Sequence, residues 1–197
     1  MTTDDRDALA PARLGWVRPL LEADARLSAR LRVAERPGWL RRLAIFLAHS
    51  GDSWFWGLGL VLIWVLADAA WKYRAVVIFA AIGLTAVVVQ ALKWTVRRQR
   101  PPGEWGAVYR SADPHSFPSG HAARAIMLAV LDLSLGPGWL AALLCVWGPL
   151  VALARIAMGV HYLSDVVAGA ALGGVLGLVF AALHPWLTPL LPAWLFG

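Results

Sequence analysis

Three short stretches of this sequence gather residues able to handle a phosphate group. KWTVRRQRP (93–101) carries Lys93, Arg97 and Arg100. Their i, i+4, i+7 spacing puts them on one helix face for as long as the helix lasts. HSFPSGHAAR (115–124) holds the turn Pro118-Ser119-Gly120, and His121 stands directly ahead of an apolar run. Backbone N–H groups at such a helix start form a ready anion site. ARIAMGVHYLSD (154–165) carries Arg155, His161 and Asp165. The last two lie at i, i+4, so the carboxylate can reach the imidazole and fix its tautomer. The other ring nitrogen then becomes a lone-pair nucleophile. Cations, a helix N-terminus and two histidines suit one kind of substrate: a phosphate group.

The elements that must position these residues are membrane helices. The chain has 197 residues, 59% hydrophobic and only 15% charged, against about 45–50% and about 25% in soluble domains. The net charge of +6 comes from sixteen Arg and two Lys against twelve acidic residues. Those cations lie between apolar spans, which favours a membrane protein over a nucleic-acid binder. The only cysteine, Cys145, excludes an internal disulfide and a cysteine-based metal site, and is expected as inert core. Residues 1–37 mix acidic residues with arginine and lack the apolar run of a signal peptide.

Five stretches are long enough to cross a bilayer, at about 54–70, 75–96, 120–135, 139–158 and 162–183. The expected fold is therefore all-α, a polytopic bundle of about five spans. Residues 17–35, with Leu20, Leu27 and Leu31 on one side, add an N-terminal interfacial helix. This divides the chain into a basic N-terminal segment, 1–50, and a transmembrane domain, 51–197. Segment 39–48 is too short to span. HSGDS (49–53) reads as a break in which Ser50 or Asp52 caps the next helix, rather than as catalytic machinery. Gly169, Gly173 and Gly177 at i+4 spacing suit close helix packing. Arg41, Arg42 and Arg74 are expected to snorkel to the interface, and Asp68 and Asp132 to end their helices facing water.

With antiparallel neighbours, the first span starts on one side, X. The second then ends on X, the third begins there, the fourth ends there and the fifth begins there. Lys93, Arg100, His121, Arg155, His161 and Asp165 all fall on X. Ionisable groups gathered at a membrane edge are functional candidates.

At these residues the sequence resembles the type 2 phosphatidic acid phosphatases, also called lipid phosphate phosphatases. Their three-part signature K-x6-R-P, P-S-G-H and S-R-x5-H-x3-D is matched by Lys93, Arg100 and Pro101, by Pro118 to His121, and by Arg155, His161 and Asp165. One position departs, Ala154 in place of serine, which removes a phosphate-facing hydroxyl. The resemblance implies that His161 attacks phosphorus to form a phosphohistidine, with Asp165 orienting its ring. Lys93, Arg100 and Arg155 would hold the phosphoryl oxygens, helped by Ser119 and the Gly120 amide. His121 would protonate the leaving oxygen and later activate water. Preorganised cations supply what phosphoryl transfer needs, so no metal or other cofactor is expected. Candidate substrates are phosphatidylglycerophosphate, phosphatidate or a polyprenyl or sugar-lipid phosphate.

A flippase would place its site nearer the bilayer midplane, and the related vanadium haloperoxidases are soluble. A phosphotransferase using the same site stays open. Side X, apart from the site residues, carries Arg6, Arg13, Arg18, Arg26, Arg30, Arg32, Arg36, Arg41, Arg42, Arg97, Arg98 and Arg110, whereas Y has Lys72 and Arg74. The positive-inside rule then predicts a cytoplasmic active site in a bacterial inner membrane.

Overall fold

The computed structural model describes residues 17–103, 105 and 113–195. Arg6, Arg13, Glu104 and Arg110 lie outside the described residues. Seven α-helices make up the described chain: α1 (Arg18–Arg30), α2 (Trp39–Ser50), α3 (Ser53–Leu66), α4 (Ala69–Val96), α5 (Gly120–Leu135), α6 (Gly138–Ala157) and α7 (Leu163–Leu187). Two 3-10 turns, Thr188–Leu190 and Ala193–Leu195, follow. The all-helical bundle is the expected fold class.

Helices α3 to α7 stand where the five apolar stretches were expected. Ala69–Val96, Gly138–Ala157 and Leu163–Leu190 are long and apolar enough to cross a membrane. The break between α3 and α4 falls at 67–68 rather than 71–74. Asp68, expected to end its helix, instead starts the next one, its Oδ1 accepting from the Trp71 amide at 3.0 Å. Helix α5 has 16 residues and forms the hub, packing on α4, α6 and α7. Close approach to α7 is possible because glycines face it. A Cβ at Gly177 would stand 2.9 Å from the Met127 carbonyl, and one at Gly169 or Gly173 would overlap the carbonyl of Ser119 or Ala123.

The far ends of the helices confirm the antiparallel order. On side Y, Arg74 Nε donates to the Leu135 carbonyl at 3.0 Å, and the Tyr73 hydroxyl meets His184 Nδ1 at 2.7 Å. Asp132 does not face water there: it is buried, and among the described residues neither carboxylate oxygen has a hydrogen-bond partner. Cys145 is exposed on the outside of the bundle rather than in the core.

The N-terminal helices belong to the X end. Helix α1 and its C-cap leave Leu20, Leu27 and Leu31 exposed, as an interfacial helix must. Its polar side caps α7 from outside: Leu163 N donates to Ser28 Oγ at 2.8 Å and Ser164 N to Asp24 Oδ1 at 3.0 Å. Two of the N–H groups a helix start leaves unpaired are thereby satisfied. Helix α2 packs on α6 while α3 packs on α4. Ala44 and Ala48 of α2 share a cluster with Ala154 and Met158. Arg124 holds the α2–α3 break, donating to the Gly51 carbonyl and the Ser53 hydroxyl. Helix α4 has 28 residues and α3 has 14, so α4 outruns its partner by about 21 Å.

Candidate active site

Beside the overhanging end of α4 lies a cavity of about 210 Å³. Lys93, Arg100, Gly120, His121, Arg155 and His161 all line it, together with Asp113. Five elements or loops deliver them: the last turn of α4, the segment after it, the first turn of α5, the last turn of α6 and the loop before α7. Helix α4 stops at Val96, where Arg97 takes a left-handed conformation (φ 52°) and donates its amide to the Lys93 carbonyl at 2.9 Å. The expected shared face of Lys93, Arg97 and Arg100 is thereby broken, leaving Arg97 exposed. Arg100 is carried inward instead. Its Nη1 donates to the Val160 carbonyl at 2.9 Å and sits 3.1 Å from His161 Nε2.

His161 is fully buried and its Nδ1 lies 2.8 Å from the Ser116 carbonyl. A carbonyl only accepts, so Nδ1 carries the proton and Nε2 holds the lone pair. Burial, assisted by Arg100 and Arg155, pushes this ring down to about 3 against the pull of Asp165, so it is neutral at neutral pH.

Asp165 does not make the expected bond. Its carboxylate stands 3.7 Å from His161 Nδ1, beyond hydrogen-bond range. It accepts instead from Tyr162 N at 2.9 Å and from Arg98 at 2.7 Å. Arg98 also donates to Asp24 at 2.7 Å and stacks 4.0 Å over the Tyr162 ring. Burial favours the neutral form of Asp24, but hydrogen bonds from Ser164 and Arg98 outweigh it and hold the carboxyl below its usual range.

Ser119 and Ala154 are also placed differently from expectation. Ser119 is fully buried outside the cavity wall, as the N-cap of α5, with Ala122 N 3.5 Å from its Oγ. Its amide donates to the Asp165 carbonyl at 2.9 Å. Ala154 packs toward α2 rather than lining the cavity.

Sequence reasoning missed Asp52. It occupies the N-cap position of α3 but makes no side-chain cap bond. Its Oδ1 lies 2.7 Å from His121 Nε2, and its Oδ2 3.1 Å from His49 Nδ1. The i, i+3 spacing of His49 and Asp52 was the available signal, although nothing in it pointed to His121. Asp113 pairs with both Lys93 and Arg100, the latter at 2.7 Å. Burial opposes its ionisation, but Lys93 and Arg100 outweigh that and lower its carboxyl. Among the described residues no group of three or more His, Cys, Asp or Glu side chains is arranged to hold a metal ion.

Comparison with known proteins identifies the family. Residues 74–189 match the PAP2 superfamily. The chain is 34% identical over 148 residues to a decaprenylphosphoryl-5-phosphoribose phosphatase of Mycobacterium tuberculosis, covering 75% of this chain and 81% of that protein. A protein of the same name from Mycolicibacterium smegmatis is 36% identical over 138 residues, covering 70% and 74%. Among solved structures, a transmembrane PAP2 type phosphatidylglycerolphosphate phosphatase from Bacillus subtilis superposes with TM-score 0.68 at 24% identity, covering 85% of this chain and 87% of that one. Aquifex aeolicus LpxE gives 0.60 at 26% identity, covering 80% and 93%. With the family model matched over residues 74–189 and three motifs converging on one cavity, the chain belongs to the PAP2 superfamily as an integral membrane lipid phosphatase.

Proposed function

We propose that this protein hydrolyses the terminal phosphomonoester of a polyprenyl-linked sugar lipid through a phosphohistidine. The observation that carries the chemistry is the meeting of Lys93, Arg100, Arg155, His121 and His161 in one cavity. The name of the mycobacterial relatives supports the substrate class. The incoming phosphoryl group competes with the Asp113 carboxylate for Lys93 and Arg100. His161 Nε2 gives its lone pair to phosphorus, and the bond from phosphorus to the headgroup oxygen breaks. His121 hands its proton to that oxygen. Water then attacks phosphorus, His121 takes the water proton, the P–N bond breaks and phosphate leaves. With His121 Nε2 held by Asp52, Nδ1 is the ring nitrogen that carries these protons. The Gly120 amide, at a helix start, supports the phosphoryl oxygens. Cationic side chains supply the charge neutralisation that a metal provides elsewhere.

The test is phosphate release in detergent from a panel of lipid phosphates, with and without a strong chelator. Release from a polyprenylphosphoryl pentose phosphate that survives chelation is expected. Loss on chelation, restored by magnesium, would overturn the metal-independent mechanism.

The cytoplasmic face of a bacterial inner membrane is the proposed location of the site. Arg18, Arg26, Arg30, Arg36, Arg41, Arg42 and Arg97 near the X ends favour it over Lys72 and Arg74 on Y. In a Cys145→Ala background, Ala70→Cys should react with a membrane-impermeant thiol reagent in intact cells and Arg36→Cys should not. The reverse pattern would put the site outside.

A further inference from the structure

The cavity is larger than its phosphate-handling end. A cavity needs only about 10–15 Å³ open to a water's centre to hold one water, so its volume of about 210 Å³ exceeds what a phosphate group alone takes up. Its wall runs down α4 from Lys93 through Gln90, Val89 and Ala86 to Thr85 and Ile82. Thr85 lies about 12 Å below Lys93 along the helix axis. Ala86 and Ser53 of the same wall are exposed, so the cavity opens sideways where α4 overhangs α3.

Two residues of this lower wall carry a buried polar atom with no hydrogen-bond partner among the described residues. Thr85 is only 2% exposed, yet its Oγ1 makes no hydrogen bond. Thr95, in the same helix, shows the ordinary alternative: its hydroxyl donates to the Ala91 carbonyl at 2.9 Å. Arg124 Nε is likewise buried and unpartnered, although both Nη groups are used. Buried polar atoms are normally paired, and more strictly so away from water. None of these groups has a role in the phosphoryl transfer described above.

We infer that Thr85, Gln90 and Arg124 form a subsite for a hydroxyl-bearing headgroup between the terminal phosphate and the lipid tail. The inference rests on the phosphatase reading and names what lies next to the phosphate. Its chemistry is selective. A threonine hydroxyl and a glutamine amide both donate and accept, and Arg124 Nε only donates. A sugar hydroxyl, itself donor and acceptor, satisfies all three. The acyl ester carbonyls of phosphatidate can only accept, and would leave acceptor positions on Thr85 and Gln90 unused. The tail then leaves through the sideways opening into the bilayer.

The experiment compares kcat/KM for two substrates, decaprenylphosphoryl-5-phosphoribose and dioleoyl phosphatidate, in wild type, Thr85→Val, Thr85→Ser and Gln90→Leu. Valine keeps the shape of threonine and removes the hydroxyl. Thr85→Val and Gln90→Leu should each lower the sugar-lipid to phosphatidate ratio by about tenfold, the worth of roughly one lost hydrogen bond to a buried site. Thr85→Ser, which keeps the hydroxyl, should restore most of the ratio. An unchanged ratio, whether both rates hold or both fall together, would overturn the subsite and leave Thr85 a packing residue. No phosphate release from the sugar lipid by the wild type would overturn the proposed substrate class, and the subsite with it.

Discussion

Each active-site histidine has an aspartate beside it, and the two pairs are built in opposite ways. Asp165 is four residues from His161 and stands 3.7 Å away. Asp52 is 69 residues from His121 and hydrogen-bonds it at 2.7 Å. The reason is where α7 begins. Its first residue is Leu163, so His161 precedes the helix and the i, i+4 rule does not govern it. Asp165 falls in the first turn, where a carboxylate turns back to cap the helix start; it does so on Tyr162 N, with Arg98 on its other oxygen. The ring of the proposed nucleophile is therefore held by the Ser116 carbonyl. Ser116 is itself fixed by its amide to the Arg98 carbonyl at 2.8 Å.

The largest effect should come from the two histidines themselves. His161→Ala removes the ring nitrogen proposed to bond phosphorus, and turnover should fall by roughly 10⁴-fold or more on every substrate. His121→Ala should cost about 10²–10⁴-fold on a lipid phosphate, yet leave the first step usable when the leaving group needs no proton. With nitrophenyl phosphate it should release a burst of nitrophenol matching the enzyme concentration and then stall as phosphoenzyme. A uniform loss without a burst in His121→Ala would put the roles of the two histidines in doubt.

The aspartates should separate next. Asp52→Asn weakens the partner of His121 and touches no helix cap, so about a 10²-fold loss in kcat is expected with the melting temperature in detergent unchanged. The loss should shrink on nitrophenyl phosphate. Asp165→Asn disturbs the α7 cap and leaves Arg98 without its buried carboxylate, so melting temperature and rate should drop together, by the same factor whatever the leaving group. Equal dependence on the leaving group in both variants would erase the distinction drawn here.

What the sequence made legible follows the same division. Apolar length, the glycine spacing on α7 and the alternation of sides brought Lys93, Arg100, His121, Arg155 and His161 to one cavity, because these depend on helix periodicity and bilayer thickness. The helix ends were less legible. Asp68 starts α4 where an end was expected, Arg97 terminates the helix that was to carry it alongside Arg100, and Asp52 was read as a cap. In each case a short polar side chain or an unusual backbone angle chose between local bonds of similar strength. Tertiary contacts made that choice: Arg124 clamps the Gly51 carbonyl and turns Asp52 toward His121. Such a contact joins residues 73 positions apart and leaves no periodic trace.

The smallest effect tests whether motif position or spatial position decides a residue's role. Ala154 replaces the serine that the family signature places before the arginine, and read from the motif its loss should weaken phosphate binding. Arg155, the next residue, does line the cavity. On a helix, however, consecutive side chains point about 100° apart, and Ala154 is 3% exposed against Ala44 and Ala48 of α2. Serine there would add a hydroxyl to an apolar contact. It could donate to the carbonyl one turn back, as Thr95 does to Ala91, which makes the change cheap. Ala154→Ser should therefore alter kcat/KM by less than about twofold and stability by no more than about 1 kcal/mol. A gain of tenfold or more in kcat/KM, carried by a lower KM, would mean that the serine reaches the phosphate and that here, unlike at the expected Asp165 bond, motif position outweighs packing.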